Sequence, residues 1–214
     1  MKLAVLQING LVNGVQVTLY PTLIQLNHKN YLVDCGYRET FGDLVSQLAS
    51  RGVGVADLHA ILISHDDIDH LGALSLFIEA NPDLLVYSPR LEADSISGRV
   101  KSERLLQAEA SLAKLPAAHQ AWGLQFIHDL RRIKRVPVDV VLDDDDWIDE
   151  QLRVVATPGH TKGHVSFYAP AQQTLIANDA VVIEDSQLAI ANPQFTLDLK
   201  QAVDSVQKTH GATH

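Results

Sequence analysis

The chain has 214 residues, 46% of them hydrophobic, and a formal charge of −9. That length suits one large domain or two small ones, with enough apolar matter for a sizeable core and no bias towards disorder. The acidic balance argues against nucleic acid as the main partner, because phosphate binding needs a basic face.

The single cysteine, Cys35, excludes an internal disulfide and a thiolate-rich zinc site, so a metal here would be held by imidazole and carboxylate. It also fits a reducing, cytoplasmic setting. The N-terminus turns polar too soon for a signal peptide, and no apolar stretch approaches the roughly 20 residues a membrane span needs.

Residues 1–35 read as a β-meander: Val15 to Tyr20, Leu23 to Leu26 after Pro21, and Tyr31-Leu32-Val33 after the turn signal Asn27-His28-Lys29-Asn30. Phe41, Leu44, Val45 and Leu48 recur at helical spacing, with Thr40 as N-cap and Gly52 beyond the end. A buried strand at Ala60-Ile61-Leu62-Ile63 leads into His65-Asp66-Asp67-Ile68-Asp69-His70, and a helix is predicted from Leu71 to Ala80, closed by Asn81-Pro82. Leu84 to Tyr87 is another short strand. Residues 90–135 change character and read as two or three inserted helices forming a lid, ending in the solvated basic run Arg131-Arg132-Ile133-Lys134-Arg135. Strands return at Val138 to Leu142, Arg153 to Ala156, Val165 to Tyr168 and Leu175 to Ala177, with Asp143 to Asp146 as an exposed turn. A final helix runs from about Leu197 to Lys208. The pattern predicts a single α/β domain over 1–214, two sheets packed together with helices outside.

The loop after the strand at 60–63 concentrates ligand chemistry. In a tight loop, positions i and i+2 point to one side and hold one ion, while i+4 and i+5 reach a second. His65 and Asp67 therefore pair on one metal, Asp69 and His70 on another. His160, in Thr157-Pro158-Gly159-His160-Thr161-Lys162-Gly163-His164, completes the first set, and Asp179, after the strand Leu175-Ile176-Ala177, is placed to bridge both ions. Two-metal sites of this kind clamp an attacking oxygen and polarise the substrate.

These segments, taken in order, resemble the metallo-β-lactamase superfamily, whose members carry a His-x-His-x-Asp-His loop, a Thr-Pro-Gly-His-Thr-x-Gly-His segment and a bridging aspartate. Leu32-Val33-Asp34-Cys35-Gly36 is similar to the family's early Leu-Ile-Asp-Thr-Gly element. The resemblance implies an αββα sandwich of two mixed β-sheets flanked by helices, with the metals between the sheet edges. It further implies that Asp34 supports the metal loop by hydrogen bonds and that His164 is structural rather than a ligand.

Two departures from the family pattern stand out. Asp67 occupies a position where the family usually has histidine. Three carboxylates and a bridging hydroxide would then neutralise two divalent ions, weaken the Lewis acid, and move preference from zinc towards iron or manganese. On that charge argument, Asp67→His would raise zinc affinity. The second departure is at the C-terminus, where the family's last histidine ligand follows a helix and a short strand. Either the chain stops before that ligand, the preferred reading, or His210 or His214 substitutes for it.

The resulting expectation is a hydrolase in which a hydroxide activated by two metals attacks a small ester, lactone or thioester, with Asp69 as the candidate catalytic residue orienting the nucleophile and moving a proton. The cofactors would be two divalent ions, zinc first, with iron or manganese as alternatives. The partner would be a small-molecule substrate, with neither nucleic acid nor membrane involved. Trp122, Phe126 and the inserted leucines would line an apolar pocket. The alternatives are a di-iron, oxygen-reducing redox enzyme, suggested by a carboxylate in the third ligand position, and a non-catalytic metal-binding relative.

Overall fold

The computed structural model describes the backbone of residues 1–184 and 187–212, and the side chains within those ranges except at 184 and 208–212. The strands are β1 (Lys2–Val5), β2 (Ile8–Val12), β3 (Val15–Leu19), β4 (Thr22–Leu26), β5 (Lys29–Val33), β6 (Leu58–Leu62), β7 (Leu85–Pro89), β8 (Val140–Leu142), β9 (Trp147–Ile148), β10 (Leu152–Ala156), β11 (Val165–Ala169), β12 (Thr174–Ile176), β13 (Val182–Glu184) and β14 (Gln187–Ala189). The helices are α1 (Phe41–Ser50), α2 (Ile68–Leu71), α3 (Leu74–Ala80), α4 (Ala93–Ile96), α5 (Glu103–Ser111), α6 (Ala117–Arg132) and α7 (Leu199–Ala212).

The larger sheet has the order β1-β4-β5-β6-β7-β8. Its first three strands are antiparallel and the rest pair parallel, which makes it mixed. The smaller sheet, β12-β11-β10-β9, was expected to be mixed but is antiparallel throughout. Its strands are consecutive and joined by turns too short for a parallel crossover. Two hairpins, β2–β3 and β13–β14, stand apart from both sheets.

Alternation along each central strand divides two hydrophobic layers. Leu23, Leu32, Ile61 and Val86 point outward onto Leu44 and Leu48 of α1 and Leu74 and Phe77 of α3. Ile24, Tyr31, Val33 and Leu62 point inward onto Leu152, Val154 and Phe167 of the smaller sheet. With both faces covered, β4 to β6 read as near-continuous apolar runs. The insertion makes its own small core from Leu105, Ile127 and Leu130, between α5 and α6.

Local chemistry explains where the elements differ from expectation. Thr40 does precede α1, but its hydroxyl donates to the Tyr37 carbonyl (2.9 Å) instead of capping the helix. The helix expected over Leu71 to Ala80 is split into α2 and α3. The Ala73 N–H donates to the Gly36 carbonyl (3.0 Å) and so leaves the helical ladder at the junction. The last helix starts at Leu199, where Asp198 Oδ1 accepts from the Gln201 N–H (2.9 Å) as an N-cap. The short strand β9 and the β13–β14 hairpin had no expectation behind them. The side chain of His210 and the whole of His214 lie outside the described residues. Among the described residues, no helix is long and apolar enough to cross a membrane.

The smaller sheet is backed by α7, which docks on the loop after β10. Ser205 Oγ donates to the Pro158 carbonyl (2.6 Å), and a Cβ added at Gly159, whose φ is +136°, would sit 2.2 Å from the Ala202 nitrogen. Gly159→Ala is therefore expected to cost about 1–3 kcal/mol from backbone strain alone. Urea denaturation should show that loss, and limited proteolysis should show α7 released first.

Candidate metal centre

All six predicted ligands come from the same end of the two sheets. Strands β5 and β6 run parallel and adjacent, so Asp34, just past β5, and Ser64 and His65, just past β6, emerge side by side. The chain then turns into α2, with Asp67 as its N-cap residue. The Asp67 carbonyl accepts from His70 and Leu71, while its side chain turns away from the helix into the centre. Across the seam, the Val165 N–H donates to the Ser64 carbonyl (3.1 Å), joining the two sheets where the loop 157–164 presents His160. Asp179 sits in a single 3-10 turn directly after β12.

Hydrogen bonding sets which imidazole nitrogens are free. Asp34 Oδ1 accepts from the Ser64 N–H (2.8 Å), and Oδ2 accepts from Ser64 Oγ (2.7 Å) and faces His70 Nδ1 (2.8 Å). His70 thus spends its Nδ1–H on a carboxylate and directs Nε2 inward. Ser64 has already given its only hydrogen to Asp34, so at 2.9 Å it accepts from His65 Nδ1–H, leaving His65 Nε2 as a lone pair. That Nε2 is buried and has no hydrogen-bond partner.

Two groups of candidate ligands result, His65 with Asp67 and His160, and His65 with His70 and Asp179, each with ligand atoms within 4.8 Å of one another. Asp67 Oδ2 is 3.0 Å from His160 Nε2 and 3.5 Å from His65 Nε2. Asp179 lies between the groups, 3.4 Å from His70 Nε2 through one oxygen and 3.4 Å from His160 Nε2 through the other. Asp69 Oδ2 is 3.7 Å from His70 Nε2, beside the second group but in neither set. An orphaned buried imidazole nitrogen surrounded by carboxylate and imidazole donors fits a divalent cation of borderline hardness.

His164 is fully buried and belongs to neither group. Ser166 Oγ donates to the Ala177 carbonyl (3.1 Å), so Thr157 Oγ1 donates to Ser166 Oγ (2.9 Å) and accepts from His164 Nδ1–H (2.9 Å). The ring is a strut inside the β10–β11 loop.

Sequence reasoning missed Arg104. It reaches in from α5 and forks onto Asp67, with Nε to Oδ1 at 2.8 Å and Nη2 to Oδ2 at 2.6 Å. Both side chains are buried, 2% and 9% exposed. The expectation that Asp67→His would tighten zinc binding treated Asp67 as an uncompensated charge. The structure corrects this, because replacing Asp67 alone would strand a buried guanidinium against the ligands. Nothing in the spacing of a helical insertion marks which arginine faces inward. Glu92 was also missed. Buried beneath the second ligand loop, it accepts at Oε1 from Thr161 Oγ1 (2.6 Å) and the Gly163 N–H (2.8 Å), fixing the turn beyond His160. The basic run is less solvated than expected, since Arg135 is ion-paired with the buried Asp66.

The environment spreads the ionisation of these groups. Burial works to raise the Asp67 carboxyl, but His160, His65 and Arg104 together hold it well below the carboxylate range. Burial works to lower His70, but Asp179, Asp69 and Asp34 hold it well above an ordinary imidazole. Burial lowers His160, with Asp67 opposing, and lowers His164 further, with no carboxylate in hydrogen-bond contact to offset it.

A family model described as the metallo-beta-lactamase superfamily matches residues 20–208. The probable metallo-hydrolase YflN of Bacillus subtilis is 27% identical over 95% of this chain and 79% of its own length. A hydroxyacylglutathione hydrolase of Aeromonas hydrophila is 26% identical over 67% of this chain and 40% of its own. Among solved structures, a metallo-beta-lactamase family protein from Thermus thermophilus superposes with a TM-score of 0.66 at 24% identity, over 96% of this chain and 68% of that one. The chain spans only about half the length of some other solved structures it matches. The chain belongs to the metallo-β-lactamase superfamily and has that family's fold.

Two outcomes follow from the hydrogen-bond network. Asp34→Asn keeps the side-chain shape but leaves one acceptor oxygen for three donors, and should weaken divalent-cation binding about 10–100-fold in chelator competition. The depressed His164 should also make metal-free protein lose stability as pH falls. Below the ordinary histidine value of about 6.5 the unfolded chain binds a proton that the folded one refuses, a slope of about 1.4 kcal/mol per pH unit. His164→Gln should remove that component in urea titrations run between about pH 5 and 8.

Proposed function

We propose that the protein hydrolyses a small ester, lactone or thioester with two divalent ions, zinc foremost, at the centre formed by His65, Asp67, Asp69, His70, His160 and Asp179. The observation that carries this reading is the pair of ligand groups joined by His65 and spanned by Asp179. Bound divalent ions at such a centre supply ionised water near neutral pH and polarise a carbonyl.

The chain's own residues have separable tasks. His65, Asp67 and His160 bind in the more enclosed group, while His70 and Asp179 bind nearer the mouth, where Asp179 is 29% exposed. Asp69 also opens to the mouth, at 30% exposure. Burial raises its carboxyl despite the opposing charge of His70, and its Oδ2, open to the mouth, is placed to relay a proton to a leaving group. Tyr37 faces the same carboxylates. Burial and the charges of Asp69, Asp67 and Asp179 push its phenol upward, so it remains a hydrogen-bond donor to developing negative charge.

An apolar acyl group is supported by an aromatic shelf beside the centre. Trp122 stacks on Phe126 with centroids 5.4 Å apart, Phe195 meets Phe126 at 6.2 Å, and Arg104 lies 5.9 Å over the Phe195 ring. Helices α5 and α6 would then act as a lid that excludes water. The cytoplasmic reading rests on the lone buried cysteine.

The test is a panel of lactones, thioesters and phosphodiesters offered to protein stripped with chelator and reloaded with zinc, iron or manganese. Acyl hydrolysis should appear only on reloading, and Asp179→Asn should cost at least about 100-fold in kcat/KM, the scale of losing one charge-stabilising group. Phosphodiester cleavage alone, or oxygen consumption by the iron form without hydrolysis, would sink the reading.

A further inference from the structure

We propose that Asp67 and Arg104 act as one unit at the centre, a matched charge pair that presents one carboxylate oxygen for ligation while contributing no net charge. The inference rests on the metal-dependent reading above and concerns residues of this chain that the family resemblance does not address.

The guanidinium is fixed on every side. Nε and Nη2 grip Asp67, Nη1 donates to Gln107 Oε1 (2.7 Å), and the plane lies over Phe195. Its helix is held at the start by Ser102, whose hydroxyl accepts from the Leu105 N–H (3.2 Å). A carboxylate has about four lone-pair positions. The fork uses one on each oxygen, and the remaining side of Oδ2 meets His160 and His65. Asp67 can therefore serve arginine and metal together.

The charge count explains why it should. Asp67, Asp69 and Asp179 set against two divalent ions leave one positive charge. A neutral histidine in place of Asp67 would leave two, and Arg104 restores that second charge. Its Nη2 is 3.4 Å from His160 Nε2, so this charge sits among the ligands and not at the rim. Arg104 thus repels a cation that Asp67 attracts, and affinity should follow the sum of the two.

Four variants measured by chelator competition and metal analysis test this. Arg104→Met should bind the first zinc or manganese ion about 10-fold more tightly than the unaltered protein, and Asp67→His about 10-fold less tightly. The double variant Asp67→His with Arg104→Met should return to within about threefold of the unaltered protein. Arg104→Lys, which keeps the charge but loses the two-pronged grip, should bind the ion less tightly than Arg104→Met. The proposal is overturned if the double variant binds as weakly as Asp67→His, or if Arg104→Met binds no more tightly than Arg104→Lys. An unaltered protein that binds no divalent ion would remove the metal-dependent reading itself, a distinct result from a misordered series.

Discussion

The Asp34 carboxylate takes three hydrogen bonds where two parallel strands end, and the centre is built outward from it. One contact reaches His70 directly and another reaches His65 through Ser64, so a single buried group selects the tautomer of both imidazoles. The strand pairing makes this arrangement available. Asp34 has φ +57° and donates its N–H to the Leu62 carbonyl (3.0 Å), turning its side chain sideways across the sheet edge towards β6. The His70 carbonyl in turn accepts from Cys35 N–H (2.7 Å), tying α2 to the same corner. Buried polar groups must be paired, and here the pairing aims the remaining lone pairs inward.

Much of this was legible in the sequence because the information was local. The two hydrophobic layers follow from alternation along β4, β5 and β6, and the ligand loop is contiguous. His160 and Asp179 were legible only through the family's order of motifs, since nothing in periodicity says that the end of β10 faces the end of β6. The roles of Asp34 and His164 also came with that order, and the hydrogen bonds supply their physical reason. The sequence stayed silent where the deciding contact was long-range and side-chain-specific. Arg104 and Glu92 look like ordinary charged positions on helix-forming segments, and their targets lie 37 and 69 residues away along the chain. The split of α2 from α3 was hidden for the same reason, since it depends on a carbonyl contributed by Gly36.

The helical insertion consequently has more than a covering role. It reads in the sequence as a lid, yet it delivers a cation into the most enclosed part of the centre. A buried ion pair is seldom a net source of stability, because desolvation offsets its attraction. A bidentate geometry with every guanidinium nitrogen engaged is better explained by placement, since it sets where Asp67 points and how much charge it shows.

The two ligand groups then differ in how each carries its negative charge without metal. Around Asp67 the balancing cation is Arg104, which cannot lose its proton. Around Asp179 it is His70, which Asp179, Asp69 and Asp34 hold well above an ordinary imidazole against the opposing effect of burial, and its Nε2 is also a ligand atom. A divalent ion beside His70 would need Nε2 as a free lone pair. An ion entering beside Asp67 must displace the His160 contact and share the carboxylate with a permanent charge. The two groups thus differ in which positive side chain the fold placed against each aspartate, a permanent charge beside Asp67 and a titratable one beside Asp179.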